Sequence, residues 1–556
     1  MLVAQAVVEI LIKEGIRDAF GIPGAGINPV YKYLETLPGI KHHLMRHEEA
    51  AVHAADGYYR SSGRMALAIC TSGPGATNFV TGIYTAWIDS IPLIAVTGQG
   101  NSALLGKGAF QCVDIAEIVK TVCKKSYCVT DPAKAAEVFA DAFMTARSGR
   151  PGPVLVDLPL DIQMAEIDFS IDNYNPARME SPKADPALIR KTIEMLDKAE
   201  RPVILMGGGV ILSKSERALA EFAEYMDIPV VSTYMAKGGI PEDHPLNAGL
   251  AGIQVGAVSG GNGALLSSDL VLGIGCRFTD RHTGAVPVYQ GERRFIHMDI
   301  DPQEIGKIIK TEFGLVCDAA EGIPELLKAA RESGQPRKRP ALTAPLAENR
   351  NRFRREPDFN RKTMDPRDVY ELVNRHFNDD TMFTTGCGLA QIWSGQYQRI
   401  NKPRKYLPSG GAGTLGFDIP AAIGASAGNP GPKTVCMMGD FGFTFMVEEL
   451  AVAARYEMPL VVLIVNNAYL SLIRQNQKYA YSFEYQVSMA ENKGFVDYIK
   501  VSEGFGCKAE RVFTYKELEA ALRRASDAKV PYVIDIIVDG PTDCDMGNDI
   551  AHIRHF

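Results

Sequence analysis

Short apolar runs rich in Val, Ile and Leu recur along the chain, separated by longer stretches in which apolar residues return every three or four positions. The runs read as buried strands and the stretches between them as amphipathic helices. In the first third, runs at 18–22, 65–70, 93–97 and 154–158 predict strands, and a further short strand is expected just before RHEE at 46–49. A polar, proline-bearing stretch at about 167–185 interrupts the pattern, which restarts at 202–206, 270–274 and 295–300. A second interruption, SGQPRKRPALTAPL at 333–346, is rich in proline and basic residues and reads as a linker. Strands are expected again at 434–438, 460–465 and 532–537. Such alternation predicts parallel sheets flanked by helices. The expectation is an α/β chain of three domains, at 1–166, 185–333 and 347–556.

Composition narrows the function classes. A chain of 556 residues exceeds one hydrophobic core and fits about three domains. A net charge of -7 with acids and bases interspersed gives no basic footprint for nucleic acid. The longest apolar run, at 459–465, is too short to span a membrane. The first residues, MLVAQAVVEILIKEG, carry charges within the apolar pattern and read as an amphipathic helix rather than a signal peptide. The cysteines are scattered with no C-x-x-C, so free thiols in a reducing, cytoplasmic setting are expected.

The segment KTVCMMGDFGFTF (433–445) carries a buried strand into Gly439-Asp440-Phe441-Gly442, and PLVVLIVNNAYLSLIRQ (459–475) carries another into Asn466-Asn467. In an open parallel sheet both turns fall at the carboxyl ends of strands, where ligands bind. Asp440 offers a hard carboxylate oxygen and Asn467 an amide oxygen. Completed by diphosphate oxygens and a backbone carbonyl, that set suits octahedral Mg²⁺. Glycine lets the backbone approach phosphate, and a following helix N-terminus favours negative charge. Alone, a Gly-Asp turn is usually a plain loop and Asn-Asn a helix cap. Together, each behind a buried strand, they point to a metal–diphosphate site.

Thiamine diphosphate (ThDP) is a cofactor of this kind. Its ring end needs a carboxylic group that hydrogen-bonds N1′ and favours the imino tautomer, a task suited to a glutamate in a poorly solvated pocket. Glu48, opening a helix in LMRHEEAAVHAADGYYR (44–60), is the candidate; taken alone, Glu48 and Glu49 would merely complement a helix N-terminus. The glycine-rich segments GIPGAGINP (21–29) and TSGPGATN (71–78) also follow strands and open helices, and can crowd a small ligand at the same sheet edge.

With SGRPGPVLVDLP (148–159) and SGGAGTLGFDIPAAIGA (409–425), these segments make the chain resemble the acetohydroxyacid-synthase-like branch of ThDP enzymes along nearly its whole length. Within that branch VNNAYLSLIRQNQ (465–477), VSEGFGCKAERVF (501–513) and CDMG (544–547), with RFTDRHTG (277–284), resemble the glyoxylate carboligases. The resemblance implies Mg²⁺ held by Asp440, Asn467 and the carbonyl of Tyr469. It implies ThDP among Pro23, Gly388, Leu389, Gln391, Gly413, Leu415, Gly439, Phe441 and Gly442, with Leu415 beneath the bent cofactor. Glu48 would face the aminopyrimidine from a second subunit, so a homodimer at least is implied and a tetramer expected. Phe110 and Gln111 would border the substrate channel opposite Leu472 and Ile473. For Leu415, Leu472 and Ile473, plain core packing is an equal reading. FAD, retained for structure rather than redox chemistry, is implied in the middle domain around Gly207, Gly208, Arg277, Arg281, Asp299 and Asp318. The residues themselves add to this only a glycine run after a strand.

The implied reaction decarboxylates glyoxylate and joins the fragment to a second glyoxylate, giving tartronate semialdehyde. Gln111, Asn28 and Arg474 are candidates for holding the second carboxylate. Two departures stand out. Known glyoxylate carboligases carry valine where this chain has Glu48, whereas acetohydroxyacid synthases carry a tryptophan where this chain has Asn476. Acetolactate synthesis from pyruvate and an FAD-dependent 2-oxo acid oxidase are the alternatives.

Overall fold

The computed structural model of the chain describes residues 1–177, 180–255, 260–489 and 496–554. Eighteen strands form three sheets, parallel throughout. The first contains β1 (Asp18–Gly21), β2 (Lys41–Leu44), β3 (Leu67–Cys70), β4 (Ile94–Gln99), β5 (Lys125–Cys128) and β6 (Val154–Pro159). The second contains β7 (Pro202–Met206), β8 (Val230–Ser232), β9 (Asn247–Leu250), β10 (Leu270–Ile274), β11 (Arg294–Asp299) and β12 (Phe313–Val316). The third contains β13 (Met382–Thr385), β14 (Tyr406–Pro408), β15 (Thr434–Gly439), β16 (Leu460–Asn466), β17 (Lys508–Val512) and β18 (Tyr532–Ile537).

Every strand expected from apolar runs is present within about two residues. The strands without such a signal are short or lie toward sheet edges. There β5 (KSYC) and β17 (KAERV) keep partial solvent exposure and polar side chains, while β13 (MFTT) is buried but built half from threonine. The amphipathic start of the chain is the helix Val3–Lys13. The basic stretch after residue 333 is docked rather than free: Arg337 grips the Asp197 carboxylate with two 2.8 Å bonds, and a short helix, Pro340–Thr343, follows. All ten cysteines are unpaired, and no helix among the described residues is long and apolar enough to cross a membrane.

The first sheet runs β2-β1-β3-β4-β6-β5 and the third β14-β13-β15-β16-β18-β17, the same order in each domain's own numbering. The middle sheet runs β12-β11-β10-β7-β8-β9, the doubly wound dinucleotide-binding order. In all three, the order reverses beside the first strand of the domain, and the crevice at the carboxyl ends of the flanking strands is where such sheets bind ligands. The flanking turns are GIPGAG after β1 and TSGPG after β3, Gly207–Gly209 after β7 and Arg277 after β10, and GCG after β13 and GDFG after β15.

The outer domains meet where the helix Glu48–Ser62 crosses the helix Asp418–Gly428. A Cβ on Gly57 would run into the Ala421 carbonyl, and one on Gly424 into that of Ala54. Only glycine permits this approach. The apolar contacts it closes include Tyr58, Ile419 and Ile423, all fully buried. Each such side chain contributes about 1.5–3 kcal/mol.

Candidate active site

At the carboxyl end of the third sheet, β15 and β16 lie in register with Gly439 beside Val465, so the GDFG and NNAY turns are neighbours. Asp440 is 2% exposed, and its Oδ2 has no hydrogen-bond partner among the described residues. Burial, with a contribution from Asp535, raises its pKa to about 7 against the relief given by backbone N–H groups, among them Ala468. Asn467 Nδ2 leans 3.4 Å from the Gly540 carbonyl, which turns Oδ1 toward the Ser471 hydroxyl at 2.7 Å. The same hydroxyl reaches the Tyr469 carbonyl at 3.0 Å. Both oxygens thus accept from the Ser471 hydroxyl, on the turn beside the one that carries Asp440 and its open oxygen. Ala468 holds a left-handed φ of 58° between them, a strain of about 1–3 kcal/mol that aims Asn467 and Tyr469 together. Among the described residues no group of three His, Cys, Asp or Glu side chains could hold a metal. A buried carboxylate with amide and carbonyl oxygens on the neighbouring turn is a hard-oxygen donor set, of the kind that suits Mg²⁺ carrying diphosphate oxygens of its own.

The rest of the expected ThDP set surrounds this edge. Leu415 Cδ2 lies 3.8 Å from where a Gly442 Cβ would be, and Gly413, at a φ of 62°, faces Cys387. Gly388 opens the helix Leu389–Tyr397 at a φ of 124° with open space before it. Leu389 itself packs into the core, so only its backbone is presented there. The Gln391 side chain turns inward and donates to the Ser409 carbonyl at 3.1 Å. Leu472 leans on the core and Ile473 is exposed. Arg474 does not offer a free cation for a substrate carboxylate: it is ion-paired with Asp543 at 2.5 Å and donates to the Pro541 carbonyl at 2.9 Å. Arg474 was one of three candidates for that role; the C-terminal segment takes its charge instead.

Glu48 stands at the switch point of the first sheet. Its Oε2 accepts from Asn78 Nδ2 at 2.9 Å, and its Oε1 lies 3.3 Å from where a Gly75 Cβ would be. Pro23 is exposed on the adjacent turn, and the neighbouring Gly24 and Gly26 pack on Thr71 and Ser72. Gln111, at a φ of 53°, closes on Gly73 with 2.7 Å between its Cβ and where a Gly73 Cβ would be; Phe110 beside it is 89% exposed. The sequence did not disclose what holds the Glu48 turn from behind. The fully buried Glu449 accepts the backbone N–H groups of Arg46 at 3.0 Å and His47 at 2.8 Å.

A cavity of about 590 Å³ opens where all three domains meet. Gly208, Arg277, Arg281, Asp299 and Asp318 line it, and Gly207 lies behind, where a Cβ would strike the Gly275 carbonyl. Burial raises the Asp299 carboxyl to about 6. Asp318 also caps the helix Ala319–Glu332 through the Ala320 N–H at 2.9 Å. The volume suits a cofactor-sized ligand, and the glycine turn beside acids at strand ends suits a dinucleotide. Sequence reasoning missed the walls from the outer domains, including Arg150 and Arg404. Arg404 ties the Tyr59 carbonyl to that of Ile211, each at 3.1 Å, a bridge between distant segments with no local signature.

Three sheets with these paired switch-point turns define a thiamine-dependent α/β enzyme, and the comparisons agree. Residues 1–118 match the N-terminal TPP binding domain of thiamine pyrophosphate enzymes, 189–326 the central domain and 386–536 the C-terminal TPP binding domain. The chain belongs to the thiamine pyrophosphate enzyme family. Among its relatives, it is 42% identical to glyoxylate carboligase of Escherichia coli O157:H7, over 100% of this chain and 96% of that protein. It is 40% identical to acetolactate synthase large subunit of Corynebacterium glutamicum, over 96% and 86% respectively. It is 38% identical to a probable acetolactate synthase large subunit of Methanocaldococcus jannaschii, over 96% and 92%.

Proposed function

We propose that the protein decarboxylates glyoxylate and joins the fragment to a second glyoxylate, giving tartronate semialdehyde and CO₂, with Mg²⁺ and ThDP. The observation that carries this reading is the buried, unpartnered Asp440 Oδ2 on a turn that neighbours the Asn467–Tyr469 turn, in a chain similar over its full length to a glyoxylate carboligase. When bound, ThDP supplies an electron sink for the carboxylate carbon. Asp440, Asn467 and the Tyr469 carbonyl would hold the cation and through it the diphosphate. Leu415 would pack against the cofactor. Glu48 would hold a proton at the pyrimidine nitrogen, its carboxyl kept in place by Asn78. Gln111 and Ile473 would border the substrate channel by the resemblance, where keeping proton donors away would favour carbon–carbon joining over protonation of the decarboxylated fragment.

By the resemblance, Glu48 of one copy of the chain and the NNAY turn of another complete the site. Phe110, Tyr481 (68% exposed) and Tyr485 (69% exposed) offer the apolar surface such a dimer would cover. FAD in the three-domain cavity, held structurally, and a reducing cytoplasmic setting belong to the same reading. The test is incubation of purified protein with glyoxylate and pyruvate in separate reactions, with Mg²⁺ and ThDP, and product identification. Tartronate semialdehyde from glyoxylate is the expected outcome. Acetolactate from pyruvate as the preferred product would replace the reading with the second one, favoured by the acidic Glu48 and by the acetolactate synthases among the relatives.

A further inference from the structure

The turn Gly386-Cys387-Gly388 joins β13 to the helix Leu389–Tyr397, and one buried residue of another helix grips both the strand and the first glycine. Asp418 opens the helix Asp418–Gly428 and is 2% exposed. Its backbone carbonyl accepts the Thr384 hydroxyl at 3.0 Å, and its carboxyl Oδ1 accepts the Gly386 N–H. Two alternate residues at the carboxyl end of β13 are thus tied to a single position of the helix. The fit is close: a Cβ on Gly386 would strike the Asp418 carboxyl, so the turn can lie against it only with glycine there. Gly388, two residues further on, has open space where a Cβ would stand.

Resting on the ThDP reading above, we propose that Asp418 is a positioning residue for the diphosphate. It sets the turn 386–388 where Gly388 and the start of the following helix meet the phosphate end of the cofactor. Asp418, this turn and the turns of Asp440 and Asn467 all belong to the third domain of one chain. The arrangement therefore serves one site, whichever copy supplies Glu48. Complementing a helix N-terminus does not explain Asp418. An acid in the first turn does that equally well when exposed, whereas taking a carboxylate out of water is costly. Burial raises the Asp418 carboxyl to about 7, and the Gly386 N–H is first among the groups that relieve it. What burial gains is the contact with Gly386. The raised value also lessens the negative charge beside a turn that would receive an anion.

The test measures the dissociation constants of ThDP and of inorganic diphosphate in Mg²⁺, the second by competition with the first, beside kcat at saturating ThDP and Tm. Purified full-length protein freed of cofactor is used. Wild type comes first: failure to bind ThDP, or failure of diphosphate to compete with it, would overturn the cofactor reading itself. Given both, Asp418→Ala removes the acceptor from Gly386 and is expected to weaken ThDP and diphosphate alike, about tenfold. The loss should appear in the dissociation constants and not in kcat at saturating ThDP. Asp418→Asn keeps an acceptor oxygen and the shape of the side chain, and is expected to restore both affinities. ThDP affinity within about twofold of wild type in Asp418→Ala would overturn the proposal, as would a loss that Asp418→Asn fails to restore. So would a loss seen for ThDP and not for diphosphate, or a fall in kcat as large as the loss of affinity. If Asp418→Ala does not fold, Thr384→Val loosens the same grip from the strand side. It is held to the same outcomes, with Thr384→Ser as the variant that restores them.

Discussion

The side chain of Gln475 pairs with the backbone of Cys544 in both directions: Nε2 donates to the carbonyl at 2.7 Å, and Oε1 accepts the N–H at 3.1 Å. Beside it, Arg474 is joined to Asp543. The helix that follows the NNAY turn is therefore fixed by the C-terminal segment, and two of the segments that carry the carboligase resemblance, VNNAYLSLIRQNQ and CDMG, form one physical unit. Replacing Gln475 with leucine would leave the buried Cys544 N–H and carbonyl unpaired, at about 1–3 kcal/mol for each unsatisfied group. Gln475→Leu is expected to lower the unfolding free energy by at least about 2 kcal/mol in a denaturant titration.

Glu48→Gln keeps the bond geometry to Asn78 but cannot share a proton. It should slow C2 proton exchange by about a hundredfold or more while ThDP and Mg²⁺ binding stay close to wild type. Unchanged exchange would remove Glu48 from the role proposed for it.

Asp440→Ala removes the only charged donor of the proposed cation site. The expected outcome is loss of ThDP retention on gel filtration in Mg²⁺, with the far-ultraviolet circular dichroism of the fold preserved. Retention at wild-type affinity would place the diphosphate elsewhere.

Gly207→Ala sets a Cβ against the Gly275 carbonyl at the back of the three-domain cavity. Wild type is expected to be purified with flavin absorbance, and the variant to have lost it. Equal flavin content in the two proteins would show that this turn does not approach the nucleotide.

Glu449 supplies a pH signature. Burial is the largest cause that raises its carboxyl from the ordinary 4.5 to about 8. Between these values the folded state holds a proton that the unfolded state has released, so stability falls as pH rises through this window. Glu449→Gln keeps a carbonyl acceptor for Arg46 and His47 but does not titrate. Its Tm relative to wild type should rise from about pH 5 to pH 8 and level off above. A constant difference across that range would mean that Glu449 is ionised in the fold.

Asp440 and Asn467 could be placed from the chain because each follows a strand whose burial the apolar pattern announces, whereas Glu48 follows the polar strand KHHL and was placed by the segment RHEEAAVHAADGY around it. Five of the six residues expected around FAD line one cavity, since the turns after β7, β10, β11 and β12 share one edge of one sheet. The contacts that hold these groups in place were not legible. Glu449 meets His47 across 402 positions, Asp418 meets Gly386 across 32, and Gln475 meets Cys544 across 69.

What the sequence determined by itself is the alternation of elements and the chemistry of their ends, because periodic burial and turn residues act over a few positions. The tertiary structure alone decided strand order, the three-domain cavity and the fate of Arg474, whose charge Asp543 takes. The reason is that a buried polar group must find its partner wherever closure of the sheets brings one, and no local pattern along the chain records that distance.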